Sequence, residues 1–231
     1  ANGTIYDMYE DNISSSNATT SGATNIFDST FFFRTSDNRV YKVLDNNSGA
    51  AYSGAEPTSE STSTFVLGGY TLKYMYSITA SEQASYLTTD FMPVSTDSTV
   101  SSAAVDGSIS SIIVTNTGSG LTNGTYYAAV YGDGTSAGTS SGAIIKISVA
   151  SNVISAVSTG NTGIQQAGAG YTFGTVNLGS GFTFSDTSLS SASAIGGSGA
   201  AISVVISPKG GHGSNAVTEL GGHYVLLQST L

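Results

Sequence analysis

The chain has 231 residues, a length that can bury a sizeable core in one large β domain or in two smaller ones. Charged residues make up only 9% of it, while 29 glycines, 13 tyrosines and many serines, threonines and asparagines favour strands joined by polar turns. The net charge of −9 argues against a nucleic acid or an anionic membrane as partner, and the lack of cysteine excludes disulfides and thiolate metal sites.

The N-terminal hundred residues carry most of the aromatic and charged side chains. Residues 30–35 and 39–44 are short apolar or alternating runs around Ser36-Asp37-Asn38, a pattern that predicts a β-hairpin. Residues 45–49, Asp-Asn-Asn-Ser-Gly, then close the second strand. Residues 70–78 alternate in the manner of a strand that is buried on one face.

One short helix is predicted near the end of this region. Ser81 precedes residues 82–87 and is the expected N-cap of a helix of no more than about two turns. We expect no other helix, and the polar stretch of residues 95–102 has the composition of a linker. The first residue is Ala1 rather than Met, so we expect that an upstream segment has been removed or is missing.

Two copies of one unit occupy residues 105–206. Each copy is predicted to contain a strand, a Gly-x-Gly-Leu/Tyr-Thr turn, a short strand, a Gly-rich turn and a final strand. In the first copy the first strand, the two turns and the final strand are residues 109–114, 118–122, 131–134 and 144–149, and in the second copy residues 153–157, 168–172, 178–181 and 201–206. Two units are fewer than a solenoid needs, so we expect a paired-repeat β module.

The sequence pattern of the last 25 residues resembles that of the N-terminal region. Residues 208–215 form a Gly-rich loop, and residues 224–227 predict a final strand. The sequence therefore predicts a mainly β fold with little helix, in which a β-sandwich-like outer domain, residues 1–100 and 207–231, carries an inserted module, residues 105–206.

Six short motifs follow one another in fixed order in the two outer segments. They are Val40-Tyr41-Lys42-Val43-Leu44-Asp45-Asn46-Asn47, Glu56-Pro57-Thr58, Gly69-Tyr70-Thr71-Leu72-Lys73-Tyr74-Met75-Tyr76, Leu87-Thr88-Thr89-Asp90-Phe91-Met92-Pro93-Val94, Pro208-Lys209-Gly210-Gly211-His212-Gly213-Ser214 and Glu219-Leu220-Gly221-Gly222. In this order they resemble the outer-domain pattern of the baseplate wedge subunit of contractile-tailed, T-even-like phages. The resemblance covers residues 1–95 and 207–231, and the repeats between them are less specific.

The resemblance implies a structural protein of the virion, located in the tail baseplate. It implies a homodimer that joins other baseplate and tail proteins in a wedge, with six wedges around a central hub. It implies neither an enzymatic activity nor a cofactor, and the family carries a further portion upstream of the matched residues. No apolar run approaches the roughly 18 residues of a spanning helix, so we expect no membrane insertion.

The Gly-rich loop is the predicted subunit contact. Its residues are Pro208, Lys209, Gly210, Gly211, His212, Gly213, Ser214 and Asn215. Glycines allow the backbone of a partner to approach closely, and we expect Lys209 and His212 to donate hydrogen bonds to that partner.

Catalytic and metal-binding alternatives have few residues available. His212, Glu219 and His223 match no standard zinc spacing, and Ser214 is not part of a Gly-x-Ser-x-Gly nucleophile elbow. We therefore expect no metal site and no serine hydrolase here. The acidic residues Asp7, Glu10 and Asp11 fit no calcium loop and are expected to be solvated turn residues.

Two other functions stay open at this point. Tyrosines of the repeat module, among them Tyr126, Tyr127, Tyr131 and Tyr171, can form a sugar-stacking face, although strand packing also explains them. A glycan-binding adhesin or other surface-binding β module is therefore the alternative to a wedge subunit. A polysaccharide-cleaving enzyme requires several carboxylates that converge in a groove.

Overall fold

The computed structural model describes residues 2–134, 142–157, 163–176, 178 and 195–224. These residues form a mainly β fold with little helix, so the predicted fold class is confirmed. The strands are β1 (Phe32–Arg34), β2 (Arg39–Asp45), β3 (Phe65–Leu67), β4 (Tyr70–Ser77), β5 (Ile109–Ser119), β6 (Gly124–Gly132), β7 (Ile144–Ala150), β8 (Val153–Val157), β9 (Ile164–Gln166), β10 (Gly174–Val176) and β11 (Ser198–Ile206). The helices are α1 (Ala80–Tyr86), α2 (Ser98–Ser102) and α3 (Ala216–Glu219), and residues Ile26–Asp28 form a short 3-10 helix.

The N-terminal region forms an antiparallel sheet with the strand order β1-β2-β4-β3. The predicted hairpin is confirmed, because β1 and β2 pair with Phe33 opposite Tyr41. Asn38 in the connection has a φ of 63°, a left-handed conformation that asparagine tolerates better than most residues. Strand β2 ends at Asp45, where the predicted Asn-Asn-Ser-Gly turn begins.

Strand β4 is buried on both faces along nearly its whole length, so the predicted half-exposed strand is wrong. Its Met75 packs in a cluster with Phe31 and Ala216 on one side of the sheet. Its Leu72 packs with Val43 and Tyr52 on the other side. Segments from both ends of the chain cover the sheet, and the sequence of β4 carries no sign of them.

The predicted helix is present as α1, but it begins two residues earlier than expected. Its N-cap is Thr79, whose hydroxyl oxygen accepts from the backbone N–H of Glu82, while the Glu82 carboxylate accepts from that of Thr79. The stretch of residues 95–102, expected to be a linker, contains the helix α2, which Asp97 caps. Asn215 caps α3, which the sequence analysis did not predict.

The second region contains a sheet with the order β10-β6-β7-β8, in which β9 also pairs with β7, and a separate ribbon formed by β5 and β11. Strand β10 lies against β11, and β8 lies against β5, so sheet and ribbon enclose a common core. This core includes Leu121, Ile145 and Ile147, which are almost completely buried.

The two proposed repeats interlock in this region. The last strand of the first unit, β7, pairs with the first strand of the second unit, β8. The last strand of the second unit, β11, pairs with the first strand of the first unit, β5. Of the second Gly-rich turn only Leu178 is described, and residues 225–227 of the predicted final strand lie outside the described residues. The division into an outer domain and an inserted module stays a prediction.

The β5–β11 ribbon belongs to both cores. Ile112 and Ile202 pack into the core of the second region. Ile113 and Val205 pack into the cluster around Phe31 beside the first sheet. The chain enters and leaves the ribbon at one place, where the backbone N–H of Ser207 donates to the carbonyl oxygen of Ser108 at 2.8 Å.

Candidate functional site

The predicted contact loop, residues 208–215, is packed largely against its own chain. Its centre, residues 211–213, is buried, whereas Lys209 and Asn215 near its ends are exposed. The backbone N–H of Gly210 donates to an Asp106 carboxylate oxygen at 2.7 Å, and the Ser101 hydroxyl donates to the Ser214 carbonyl oxygen at 2.9 Å. These contacts fix the loop against the segment around α2.

Glycine is required at position 211 for close packing. Gly211 has a φ of +91°, and a Cβ atom there would lie 2.4 Å from the backbone nitrogen of Val105. The close approach that the glycines allow is therefore made to the same chain. Whether the exposed ends of the loop contact another subunit stays a prediction.

The expectation that His212 donates to a partner is wrong, because its side chain is only 7% exposed. The ring packs edge-on against Tyr9, with 5.0 Å between the ring centroids. Its Nδ1 lies 3.8 Å from Glu219 Oε2, which is beyond hydrogen-bond distance. Both ring nitrogens are buried, and neither has a hydrogen-bond partner among the described residues.

Lys42 and Glu219 form a buried ion pair beside this histidine. Lys42 Nζ lies 2.9 Å from Glu219 Oε2, and the two side chains are 0% and 5% exposed. The other carboxylate oxygen, Oε1, accepts the backbone N–H of Gly213 at 2.7 Å. Lys42 Nζ also lies 3.9 Å from the centre of the Tyr9 ring, in a cation–π contact. One carboxylate thus joins β2, the loop and α3.

Burial and neighbouring charges determine the protonation states of Lys42, His212 and Glu219. Burial lowers the pKa of Lys42 to about 8, although the Glu219 carboxylate opposes the shift. Burial also lowers the pKa of His212 to about 3, and the Lys42 charge acts in the same direction. Desolvation raises the pKa of Glu219, but His212 and Lys42 together outweigh it and lower the pKa. At neutral pH the group therefore contains an ion pair and a neutral imidazole.

A second lysine lies next to Lys42 on the neighbouring strand. Lys73 of β4 is the register partner of Lys42, and it is 5% exposed. Its ammonium donates to the carbonyl oxygen of Thr62, and burial lowers its pKa. We call Lys42, Lys73, His212 and Glu219 the buried polar cluster.

The possible metal ligands are only partly brought together. His212 and Glu219 are neighbours, whereas His223 is exposed. The Lys42 ammonium occupies the cationic position next to Glu219. In the described part of the chain, no three His, Cys, Asp or Glu side chains are grouped in a way that could hold a metal ion.

Asp7 is not the solvated turn residue that the sequence analysis predicts, since it is 1% exposed. Its carboxylate accepts the backbone N–H of Ser21 at 2.8 Å, the Ser21 hydroxyl at 2.6 Å and the backbone N–H of Thr30 at 2.9 Å. Burial raises the pKa of Asp7, but these hydrogen bonds outweigh it and lower the pKa. Asp7 therefore organises the segment that covers the first sheet.

The repeat-module tyrosines divide into two groups. Tyr126 and Tyr171 are buried core residues, as strand packing predicts. Tyr131 is 44% exposed, and Phe173 near the opposite strand is 58% exposed.

The prediction that both Gly-x-Gly pairs form turns needs a correction at Gly118, which lies inside β5.

A groove of about 640 Å³ opens above the buried polar cluster. It is lined by residues from three segments, 9–13, 24–27 and 208–219. Tyr9 and Glu219 belong both to its lining and to the contacts described above. Ile13, Ile26 and Phe27 give it an apolar wall, and Glu10, Asp11 and Lys209 are charged residues of its lining.

Sequence reasoning missed Lys42, Lys73 and Tyr9 as members of this site. A signal was present, because each lysine interrupts an otherwise apolar or aromatic strand, at Val40-Tyr41-Lys42-Val43-Leu44 and Leu72-Lys73-Tyr74. A charge at such a position requires a buried partner. Nothing in the local sequence identifies that partner as Glu219.

Comparisons with known proteins give no match among family models, curated proteins or solved structures. None of the helices formed by the described residues is long and apolar enough to cross a membrane.

Proposed function

We propose that this chain is a structural subunit of a phage tail baseplate wedge that assembles with other tail proteins. The observation that carries the proposal is the convergence of four motifs of the wedge resemblance on one buried site. Lys42, Lys73, His212 and Glu219 each belong to a different motif, and together they form the buried polar cluster. Four motifs that jointly build one buried cluster support the resemblance more strongly than four unrelated fragments would.

The role of the cluster is to fix the position of distant segments. Lys42 and Glu219 are 177 positions apart in the chain, and their contact holds the return segment on the first sheet. A buried pair of this kind adds little net stability but strongly penalises other arrangements of its partners. This is the property expected of a subunit that must present a fixed surface to its neighbours.

The experiment is co-expression of the full-length chain with neighbouring tail proteins, followed by native mass spectrometry of the purified material. A dimer that captures other tail proteins supports the proposal. A monomer that captures none of them contradicts it. The variant Lys42→Met should reduce capture if the fixed surface is needed, whereas Lys146→Met, at a lysine outside the cluster, should leave capture unchanged.

Glycan binding by the repeat module is the second candidate, and the exposed pair Tyr131 and Phe173 favours it. Tyr131 is the register partner of Thr175 on β10, and Phe173 lies two residues before Thr175. Exposed aromatic rings on neighbouring strands can stack on sugar rings. A glycan array distinguishes the candidates: this function requires a signal that Tyr131→Ala and Phe173→Ala abolish.

A further inference from the structure

Tyr9 presents an unused polar group at the groove. The residue is only 6% exposed, and its ring is held by Lys42, by His212 and by Phe31, whose ring centroid lies 6.3 Å away. Its hydroxyl forms no hydrogen bond with any other residue that the structure describes. Because Tyr9 lines the groove, this hydroxyl can exchange a hydrogen bond with a molecule bound there.

Two carboxylates of the groove, Glu10 and Asp11, are also incompletely paired. Glu10 accepts one hydrogen bond, from Asn17 Nδ2 at 3.1 Å, and Asp11 accepts a long one of 3.4 Å from the backbone N–H of Ile206. Desolvation raises the pKa of both carboxyl groups. A carboxylate has room for about four donors, so both can accept more hydrogen bonds.

The opposite wall of the groove is apolar. Ile13 and Ile26 are half-buried, and the Phe27 ring is 56% exposed although it lines the groove. The volume of about 640 Å³ lies in the range of ~300–1,000 Å³ that is usual for ligand sites. Such a wall can hold an apolar side chain, and the Phe27 face can contact a cation.

We infer that this groove binds an extended segment of another protein that carries an arginine or lysine next to an apolar residue. The cation reaches Tyr9, Glu10 and Asp11, and the apolar residue packs on Ile13, Ile26 and Phe27. A second copy of this chain is a poorer occupant, because it has only 6 lysines and arginines and a net charge of −9. The inference rests on the proposed function, since it names the kind of segment that a neighbouring wedge protein inserts.

The test uses the full chain with labelled isoleucine methyl groups and a blocked Gly-Leu-Arg-Leu-Gly peptide. The methyl resonances of Ile13 and Ile26 should shift saturably with this peptide and should not shift with Gly-Leu-Glu-Leu-Gly. The double variant Glu10→Gln/Asp11→Asn should weaken binding about tenfold, because charge-assisted hydrogen bonds are lost. The control Glu60→Gln/Asp90→Asn makes the same change of charge outside the groove and should bind like the original chain.

Three results would overturn the inference: no saturable shift up to several millimolar arginine peptide, equal binding of the glutamate peptide, or undiminished binding by the groove variant. Native mass spectrometry separates this failure from failure of the wedge proposal. If the groove variant still captures tail proteins fully, the wedge proposal stands and the groove assignment is overturned. If the arginine peptide binds as expected but no tail protein is captured, the groove assignment stands and the wedge proposal is contradicted.

Discussion

Lys42 Nζ lies 2.9 Å from Glu219 Oε2, and this contact joins the middle of the first sheet to the last helix described. Glu219 uses its other oxygen to accept the backbone N–H of Gly213, so the carboxylate also orders the Gly-rich loop. The positions of β2, the Gly-rich loop and α3 therefore depend on one carboxylate and one ammonium group.

Removing the ammonium group should strongly destabilise the fold. Lys42→Met leaves the Glu219 carboxylate buried without its cation, and we expect a loss of about 3–5 kcal/mol in the free energy of unfolding. Urea denaturation followed by tyrosine fluorescence measures this loss. The double variant Lys42→Met/Glu219→Gln should be less destabilised than the sum of its single variants, because no charge is left buried.

Lys209→Met is the matched control for that experiment, because Lys209 is exposed. Its urea midpoint should equal that of the original chain within error. An unchanged midpoint for Lys42→Met would contradict the structural role assigned to the ion pair.

Acid should weaken the fold through His212. In the unfolded chain its pKa is near 6.5, whereas in the folded chain burial and Lys42 lower it to about 3. As the pH falls below 6.5, the unfolded state binds a proton that the folded state excludes. The free energy of unfolding should therefore decline by up to about 1.4 kcal/mol per pH unit from this group.

His212→Phe isolates this contribution between pH 6.5 and 4.5. The lowered pKa of Glu219 adds a loss of stability only below its unfolded value of 4.5. Denaturation midpoints measured across this window should fall less steeply for His212→Phe than for the original chain. His223→Gln changes the exposed histidine and should leave the slope unaltered; equal slopes for all three proteins would refute the assignment.

Gly211 should tolerate no side chain. Gly211→Ala combines a positive φ with a Cβ atom 2.4 Å from Val105 N, whereas Gly22→Ala at a φ of +87° meets no atom within 4 Å. Both variants carry the cost of the backbone conformation, but only the first must displace the Val105 backbone. We expect Gly211→Ala to be less stable than Gly22→Ala by about 1–3 kcal/mol in urea denaturation, and similar values would contradict the packing described.

The Asp7 carboxylate should be necessary for the stable conformation of the N-terminal segment. Asp7→Ala removes the acceptor of three short hydrogen bonds and leaves the backbone N–H groups of Ser21 and Thr30 without it. We expect a loss of about 2–4 kcal/mol, because three hydrogen bonds to a charged acceptor are lost, while water can reach the two amides near the surface and offsets part of that loss. Hydrogen exchange of these two amides provides the measurement, and rates that match those of the exposed control Asp90→Ala would contradict the prediction.

The β1–β2 hairpin and the α1 helix were predictable, because residues close together in the chain determine them. The hairpin follows from two apolar runs around Ser36-Asp37-Asn38, and the α1 helix follows from polar residues near a capping group. The cap itself was misplaced by two residues, because Thr79 and Ser81 are both good caps and only the pairing of Thr79 with Glu82 distinguishes them.

The candidate site was predictable only in part. The glycines and His212 drew attention to the correct loop, but the sequence suggested an outward-facing contact. The loop is buried because Val105, Ser101 and Asp106 meet it from another part of the chain. Burial of β4 on both faces is likewise a property of distant segments, and no periodicity within Tyr70–Ser77 encodes it.

The β5–β11 ribbon is also the part of the fold through which a mechanical load would pass from one core to the other. Because Ile112 and Ile113 face different cores, a pull on one region cannot shift the ribbon without disturbing the other. Two further contacts tie the ribbon to the first region, from Ser111 to Asp45 and from Ile206 to Asp11. A mechanical load applied to the far sheet would thus reach the groove along both strands of one ribbon, which the chain enters and leaves at the same end. Whatever binds at the groove would then be held against tension by the whole molecule rather than by one loop.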